Sequence, residues 1–277
     1  MLVFLHIPKT AGMTLGQVMR HQYARGEVVN LNADGPAEAA QAWWTLPERR
    51  RARIKCVYGH LPLAPAMFGD QQANYITMLR DPIERSVSEY YYALRRPEHG
   101  LHSFLRRERM TLDRFVTTDL ATQICNEQVR RLSGADGPVQ SGEFLDKALD
   151  NLRKHVVLAG LAERFDETLL LCRDLLGWNR LSYERLNVNR LRPTLERVSS
   201  ATLAALNSLN RLDRELYRSV QKEFDRLVSK HGISARDVLA LRRRSRLYGA
   251  VRRTMRFPLS VARDAAAAIR SRWVIYR

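Results

Sequence analysis

The sequence predicts a three-layer α/β fold, with a central parallel sheet flanked by helices and a basic helical tail at the C-terminal end. Short apolar segments near residues 2–7, 54–58, 75–79 and 156–160 alternate with helical stretches, which is the pattern of parallel strands joined by helical crossovers. The chain has 277 residues, of which 45% are hydrophobic, so it can bury a large core. Two of the apolar segments lead straight into turns that suit a phosphate group.

The first strand leads into a turn suited to an anion. The segment from Val3 to Thr14 reads VFLHIPKTAGMT, an apolar run followed by a Lys-Thr-Ala-Gly turn and the start of a helix. Such a turn points several backbone N–H groups at one spot, where the helix N-terminus and the Lys9 ammonium also favour phosphate or sulfate. The residue order differs from the common P-loop, GxxxxGK[ST], so the turn is only P-loop-like. The alternative is a plain strand-to-helix turn.

The second strand ends at Gly59-His60, before a loop that contains Pro62 and Pro65. A histidine at a strand terminus is well placed to face a site, and its ordinary pKa near 6.5 lets it accept a proton at neutral pH. We therefore predict His60 as the general base, with a structural hydrogen bond as the alternative. His6, on the strand before the turn, is expected to pack beneath the turn and orient it.

The third strand, from Asn74 to Leu79, runs into the sequence RDPIERSVSEYYY. Asp81 can cap the helix that follows, Pro82 suits its first position, and Glu84 falls where a capping-box carboxylate reaches back.

Arg80 stands just outside this helix, at the strand end where open α/β sheets bind ligands. A planar guanidinium can grip a phosphate monoester with two hydrogen bonds, and Ser88, two turns into the helix, can add a hydroxyl. The alternative is that Arg80 only pairs with Asp81 or Glu84.

Two later segments continue the alternation of strand and helix. Residues 156–161 predict a buried strand, and the spacing of apolar residues then predicts a helix over 163–176. A polar, basic loop follows at 186–194, and a packed helix is predicted over 211–230.

The turn at Lys9 and the segment from Arg80, in this order, resemble the nucleotide-binding segments of sulfotransferases that use 3′-phosphoadenosine 5′-phosphosulfate (PAPS). In the branch that acts on hexuronic acids at the 2-O position, the catalytic histidine lies in a similar Gly-His element, which implies His60. The loop at 186–194 is similar to an NVN…RP stretch that closes over the nucleotide. The resemblance thus implies the following residues at PAPS: Lys9, Thr10, Ala11, Gly12, Met13, Thr14, Arg80, Ser88, Arg190, Arg192 and Thr194.

The resemblance implies a P-loop-like enzyme that moves a sulfuryl group from PAPS to a carbohydrate hydroxyl by in-line transfer. Lys9 would stabilise charge on the bridging oxygen and His60 would deprotonate the acceptor, so positioning and electrostatics would dominate the rate. No metal is expected, because the sequence lacks HExxH, clustered Cys/His and an Asp-rich loop. Met13 stands where many relatives have Ser or Thr, so the hydroxyl role passes to Thr10 and Thr14.

The resemblance favours a carbohydrate or glycolipid acceptor, with a uronic acid or a related polymer unit as one option. Basic residues are dense between residues 95 and 141, where they either line a pocket for an acidic acceptor or form ordinary surface. They include Arg95, Arg96, Arg106, Arg107, Arg109, Arg130 and Arg131.

The net charge of +17 is concentrated at the C-terminal end, where residues 241–277 hold eleven arginines and one acidic residue, Asp264. We divide the chain into a sulfotransferase domain, 1–235, and a basic amphipathic helical tail, 236–277. Apolar and aromatic residues interleave with the arginines, which favours peripheral contact with an anionic membrane or polymer. Pro258 is expected to break the tail into two helices. The alternative is a helix pair packed on the domain with solvated arginines.

Three scattered cysteines, Cys56, Cys125 and Cys172, favour reduced thiols over a disulfide framework. With no signal peptide or membrane-spanning segment recognised in the sequence, we expect a cytoplasmic enzyme, peripheral on the inner membrane face. Two alternatives stay open: a P-loop-like nucleotide kinase, and a basic nucleic-acid-binding protein. The second is disfavoured because no helix-turn-helix, RNP or zinc pattern occurs, so no specific nucleic acid is expected.

Overall fold

The computed structural model describes residues 1–184, 194–252 and 254. It contains a five-stranded sheet in the order β2-β3-β1-β4-β5, with every pair parallel. This confirms the predicted fold class. The strands are β1 (Leu2–Leu5), β2 (Val28–Asn30), β3 (Cys56–Gly59), β4 (Asn74–Leu79) and β5 (Val156–Leu161). Strand β2 was not predicted, because three residues are too few to show a hydrophobic period.

Helices cover both faces of the sheet and the region beyond β4. The helix predicted over 211–230 is confirmed, and the one predicted over 163–176 begins with a short 3₁₀ turn, Ala162–Arg164. In the part of the chain that the structure describes, no helix is both long and apolar enough to cross a membrane. The helices are α1 (Gly12–Arg20), α2 (Pro36–Trp44), α3 (Glu48–Arg51), α4 (Pro82–Ala93), α5 (His102–Arg107), α6 (Leu112–Phe115), α7 (Glu127–Ser133), α8 (Gly142–His155), α9 (Phe165–Leu176), α10 (Ser200–Leu209), α11 (Arg211–Lys230) and α12 (235–252).

The three central strands bring their carboxyl ends to one edge of the sheet. Leu5, the last residue of β1, lies beside Gly59 of β3 and Thr77 of β4. Because the strands are parallel, the segments that follow β3, β1 and β4 leave the sheet side by side. Those segments carry the candidate residues of the site.

Helix α4 is held between two apolar clusters. Its N-terminal end follows β4 in the main core, and its inner face, with Val87 and Tyr90, packs into a second cluster with Phe115 and Leu206. Tyr90 also donates a hydrogen bond of 2.6 Å from its hydroxyl to the carbonyl of Met110. The opposite face of α4 is thereby held in a fixed place at the sheet edge.

The first part of the predicted tail packs on the body of the protein. Leu241 of α12 is fully buried in the main core, Arg242 Nε donates to Asp166 Oδ2 at 2.7 Å, and the Tyr183 amide donates to Ser245 Oγ at 3.4 Å. The division of the chain at residue 235 stays a prediction, and residues 255–277 lie outside the described residues. Cys56, Cys125 and Cys172 are buried and unpaired.

Candidate functional site

The turn between β1 and α1 has an unusual backbone. Lys9 and Ala11 both have positive φ, 67° and 65°, which residues other than glycine seldom adopt. Within the described chain, no hydrogen bond uses the amides of residues 10–13, whereas the Thr14 amide donates to the Ala11 carbonyl at 3.0 Å. When left-handed and right-handed residues alternate along the backbone at a helix N-terminus, their amides point into one concavity, which can bind an anion. Four of the five predicted amides are therefore available to a ligand.

His6 forms the floor of this turn, as predicted from its place on the strand before it. A Cβ on Gly12 would come within 1.9 Å of His6 Cδ2, so only glycine fits above the ring. The imidazole stacks between Phe4 and His60, with centroid distances of 5.6 and 4.4 Å. Burial, and then the nearby His60, lowers the pKa of His6 to about 3, so this ring is neutral at physiological pH.

The side chains of the turn take different roles from those predicted. Thr10 is fully buried, and its hydroxyl donates to the Ile7 carbonyl at 2.9 Å. The predicted role of the Thr10 hydroxyl as a ligand is therefore wrong, because that donor is used inside the turn. Thr10 offers a ligand its amide alone. Thr14 is nearly buried, whereas Ala11 and Met13 are exposed.

Lys9 projects from the turn towards α4. Its Nζ lies 3.8 Å from the centroid of the Tyr92 ring. Burial is the main cause that lowers the pKa of Lys9 to about 8. Three guanidinium groups lower this pKa further, those of Arg95, Arg80 and Arg96. So much positive charge around a half-buried lysine is the electrostatic signature of an anion site.

Arg80 is fixed by its backbone as well as by its side chain. Gln128 of α7 is fully buried; its Oε1 accepts from the Arg80 amide at 2.9 Å, and its Nε2 donates to the Arg80 carbonyl at 3.0 Å. The guanidinium donates to Glu84 Oε2 at 2.9 Å and to the Lys9 carbonyl at 3.2 Å. The alternative pairing with Glu84 is thus present, and the hydrogen bond to the Lys9 carbonyl ties Arg80 to the turn.

No motif or spacing in the sequence identified Gln128 as a residue of the site. It lies 48 residues beyond Arg80, and the start of α7 is held by Asp213 of α11, which accepts from the amides of Gln128 and Val129 at 3.2 and 2.7 Å. Helix α11 therefore fixes α7, and α7 fixes Arg80.

The predicted cap of α4 is half correct. Asp81 accepts from the amides of Ile83 and Glu84 at 3.1 and 2.9 Å, as expected. The capping-box role of Glu84 is wrong, because the Asp81 amide donates to Glu163 at 3.0 Å. Glu84 instead turns to Arg80.

Ser88 is half-buried and lies on the same face of α4 as Glu84 and Tyr92, one turn from each. Because Glu84 contacts Arg80 and Tyr92 contacts Lys9, Ser88 stands between the two predicted phosphate-binding groups. The structure thus brings Lys9, Arg80 and Ser88 together.

His60 lies beside the turn, and its hydrogen bonds determine which ring nitrogen carries the proton. Its Nδ1 is 2.9 Å from the His6 carbonyl, which can only accept, so Nδ1 carries the proton and Nε2 has the lone pair. Burial lowers the pKa of His60, and the hydrogen bond to His6 opposes that effect only in part. The amide of His60 donates to Asn32 Oδ1 at 2.9 Å. A neutral imidazole with an unprotonated Nε2 is the form that a general base requires.

Gly59 lets His60 reach this position. Its φ is 154°, and a Cβ there would lie 1.7 Å from the Leu31 carbonyl oxygen. Only glycine allows β3 to pass so close to the end of β2.

Two of the arginines between residues 95 and 141 do not line a pocket. Arg130 and Arg131 both pair with the buried Glu127, at 2.6 and 2.9 Å. Arg131 also donates to the Ala33 carbonyl at 2.8 Å, so it holds the segment after β2. Arg95, Arg96, Arg106, Arg107 and Arg109 are exposed.

Of the remaining predicted residues Arg190, Arg192 and Thr194, the structure describes Thr194. Arg190 and Arg192 lie outside the described residues. Thr194 is exposed at the start of the 3₁₀ turn Leu195–Arg197, and in the described chain it makes no hydrogen bond to Lys9 or Arg80. Among the described residues, no three His, Cys, Asp or Glu side chains are placed to hold a metal ion.

A cavity of about 730 Å³ lies where α1 and α9 end, away from the carboxyl ends of the strands. His21, Trp178, Arg180 and Tyr248 are among its lining residues. Because α1 runs from the turn to this cavity, the cavity is separate from the cluster around Lys9 and His60.

The chain is similar in sequence to several known proteins. A family model described as galactose-3-O-sulfotransferase matches residues 2–272. Over 173 residues the chain is 30% identical to galactose-3-O-sulfotransferase 3 of Bos taurus, covering 57% of this chain and 39% of that relative. Human galactosylceramide sulfotransferase is 40% identical over 94 residues, covering 32% of this chain and 22% of that relative. The matches thus span well under half of these two relatives.

A longer match joins the chain to heparan sulfate 2-O-sulfotransferase 1 of Xenopus laevis, at 26% identity over 267 residues. It covers 86% of this chain and 74% of that relative. A solved structure of mouse sulfotransferase SULT7A1 with PAP is similar over 88% of each chain, with 14% identity and a TM-score of 0.37.

Proposed function

Because the chain belongs to the galactose-3-O-sulfotransferase family, we propose that it transfers a sulfuryl group from PAPS to a hydroxyl of a carbohydrate or glycolipid acceptor. The observation that supports this most directly is the meeting, at one sheet edge, of a turn with unused amides, a lysine, an arginine and a neutral histidine. An anion donor and a hydroxyl acceptor together need these four kinds of group.

Each residue of the cluster takes one task in this proposal. Lys9 and the amides of residues 10–13 bind the 5′-phosphosulfate, and Arg80 and Ser88 bind the 3′-phosphate. Thr14 lies beside them with its amide used within the turn. The proposal retains Arg190, Arg192 and Thr194 as residues that contact the nucleotide.

In this proposal His60 and Lys9 carry out the chemical step. His60 Nε2 takes the proton of the acceptor hydroxyl as its oxygen forms a bond to sulfur. The bond between sulfur and the bridging oxygen of the phosphosulfate breaks, and Lys9 stabilises the negative charge left on that oxygen. The products are a sulfate ester and 3′,5′-adenosine bisphosphate (PAP), and the proton on His60 passes to water.

The experiment is a transfer assay with PAPS and a panel of acceptors. A terminal galactoside, galactosylceramide and a uronic-acid polymer represent the acceptors that the relatives are named for. Formation of a sulfated product that requires PAPS, with none formed by Lys9→Met, supports the proposal. Phosphate transfer from ATP with Mg²⁺, and no sulfate transfer to any acceptor, would favour the kinase alternative instead.

We also propose that α12 and the residues after it contact an anionic membrane surface, which would keep the enzyme at the inner face of a cytoplasmic membrane. Leu247 and Val251 are one turn apart on α12 and are 69% and 53% exposed. Arg243 and Arg246 on the same helix are also exposed. Exposed apolar side chains next to arginines are typical of a helix that lies on a lipid surface.

Vesicle co-sedimentation tests this contact. The double variant Leu247→Ser, Val251→Ser should lose binding to vesicles that contain anionic lipid, whereas Trp44→Ala, an exposed apolar side chain elsewhere, should retain it. Equal binding of the two variants, or equal binding to zwitterionic vesicles, would contradict the membrane role. Cell fractionation would then test the proposed location.

A further inference from the structure

Glu89 is a buried carboxylate that the proposed reaction does not yet use. It lies on α4 and is only 8% exposed. Its Oε1 accepts from His99 Nε2 at 3.1 Å, and its Oε2 has no hydrogen-bond partner among the described residues. A buried carboxylate oxygen without a donor is costly, so its presence calls for a physical explanation.

The neighbours of Glu89 lead directly to Lys9. His99 Nδ1 accepts from the Leu101 amide at 3.1 Å, so the proton of the neutral ring is on Nε2 and points at Glu89. The His99 ring meets the edge of the Tyr92 ring, with centroids 6.0 Å apart. The face of Tyr92 in turn supports the Lys9 ammonium at 3.8 Å.

Most of the charged groups that act on the Lys9 ammonium are positive, whereas Glu89 is negative. The guanidinium groups of Arg95, Arg80 and Arg96 all act on Lys9 and favour loss of its proton. Glu89 is the carboxylate that acts in the opposite sense. Glu84, the other glutamate of α4, is in contact with Arg80.

We propose that Glu89 is a positioning residue for Lys9: through its charge and through the contacts of His99 and Tyr92, it keeps the lysine protonated and held beside the turn. This inference rests on the proposed PAPS site, in which the ammonium meets the 5′-phosphosulfate. The Lys9 ammonium must bind an anion while three guanidinium groups repel its proton. A carboxylate buried behind it, out of contact with the ligand, compensates for that repulsion without competing for the sulfuryl group.

The test is the pH dependence of PAP binding, measured by calorimetry between about pH 6 and pH 10, where lysines with lowered pKa titrate. Binding should weaken as the pH rises through the pKa of Lys9, which burial lowers to about 8. Glu89→Gln keeps the shape and removes the charge, so the pKa of Lys9 drops further. The alkaline loss of affinity should therefore begin at least about half a pH unit lower.

Three further variants separate this role from a structural one. In Lys9→Met the loss of PAP affinity at alkaline pH should be absent. Adding Glu89→Gln to Lys9→Met should change PAP affinity by less than about twofold, because the lysine on which Glu89 acts is gone. Glu89→Asp keeps the charge at a longer distance and should give a smaller shift in the same direction. It also serves as the test if Glu89→Gln does not fold.

The outcomes distinguish the two proposals. A wild-type pH profile in both folded Glu89 variants would overturn the role of Glu89 and leave the PAPS site intact. Equal effects of Glu89→Gln with and without Lys9 would also overturn it. Absence of PAP binding by the wild-type protein at every pH would instead overturn the proposed function itself.

Discussion

The role of His60 as a base makes the sharpest prediction about turnover. Replacing a positioned general base lowers the rate by about 10²–10⁴-fold, which is about 3–5 kcal/mol of transition-state stabilisation. His60→Ala also removes the hydrogen bond from Nδ1 to the His6 carbonyl. That bond contributes about 0.5–1.5 kcal/mol to folding, a loss that a domain of this size can tolerate. The variant should therefore fold and bind PAP with nearly wild-type affinity, yet turn over slowly.

The pH profile provides a second test of the same residue. The base must be neutral to act, and burial lowers the pKa of His60 from its ordinary value near 6.5. Activity should therefore be constant through neutral pH and fall as the pH drops through a pKa below about 6.5. In His60→Ala this acidic limb should disappear from kcat/KM.

The assay is the initial rate of PAPS-dependent sulfation of whichever acceptor the panel identifies, with PAP affinity measured on the same preparations. His102→Ala is the matched control, because His102 Nδ1 makes a similar contact of 3.0 Å with the Ala93 carbonyl outside the site. Full activity of His60→Ala, or an equal loss in His102→Ala, would refute the assignment.

Three other changes test the architecture of the site. Arg80→Gln should weaken PAP binding by about 10–100-fold, through loss of charge-assisted hydrogen bonds, and leave 5′-AMP binding unchanged in calorimetry. Gln128→Ala removes the hydrogen bonds to the Arg80 amide and carbonyl, so urea unfolding should show a loss of about 1–3 kcal/mol that the exposed Gln123→Ala does not. Gly59→Ala forces a Cβ to 1.7 Å from a carbonyl oxygen and should lower Tm sharply, whereas Gly137→Ala, with open space around it, should not. Unchanged AMP-to-PAP selectivity in the first, or stability equal to the control in the other two, would contradict these contacts.

Much of the site could be predicted because each of its principal residues follows a strand. Lys9, His60 and Arg80 come after β1, β3 and β4, and the carboxyl ends of parallel strands meet at one edge. Local chemistry also identified the Asp81 cap, since an N-cap acts on amides two and three residues away.

The rest depends on contacts that are distant in sequence. Gln128 contacts Arg80 from a helix whose start is fixed by Asp213. No pattern among neighbouring residues of the sequence predicts these contacts. Glu163 displaces Glu84 from the predicted capping box because it follows β5, which lies beside β4 in the sheet but is distant from it in sequence. The pairing of Glu89 with His99 spans only ten residues, but it depends on how the chain bends after α4, and glutamates on helices are usually solvated.

The most direct test of the central claim is a calorimetric titration of the full chain with PAP, with 5′-AMP and ATP with Mg²⁺ as comparison ligands. The proposed site predicts binding of PAP that needs no metal and depends on the 3′-phosphate, so 5′-AMP should bind much more weakly. Equal affinity for PAP and 5′-AMP, or a preference for ATP with Mg²⁺, would contradict the assignment of Lys9, Arg80 and Ser88 to PAPS.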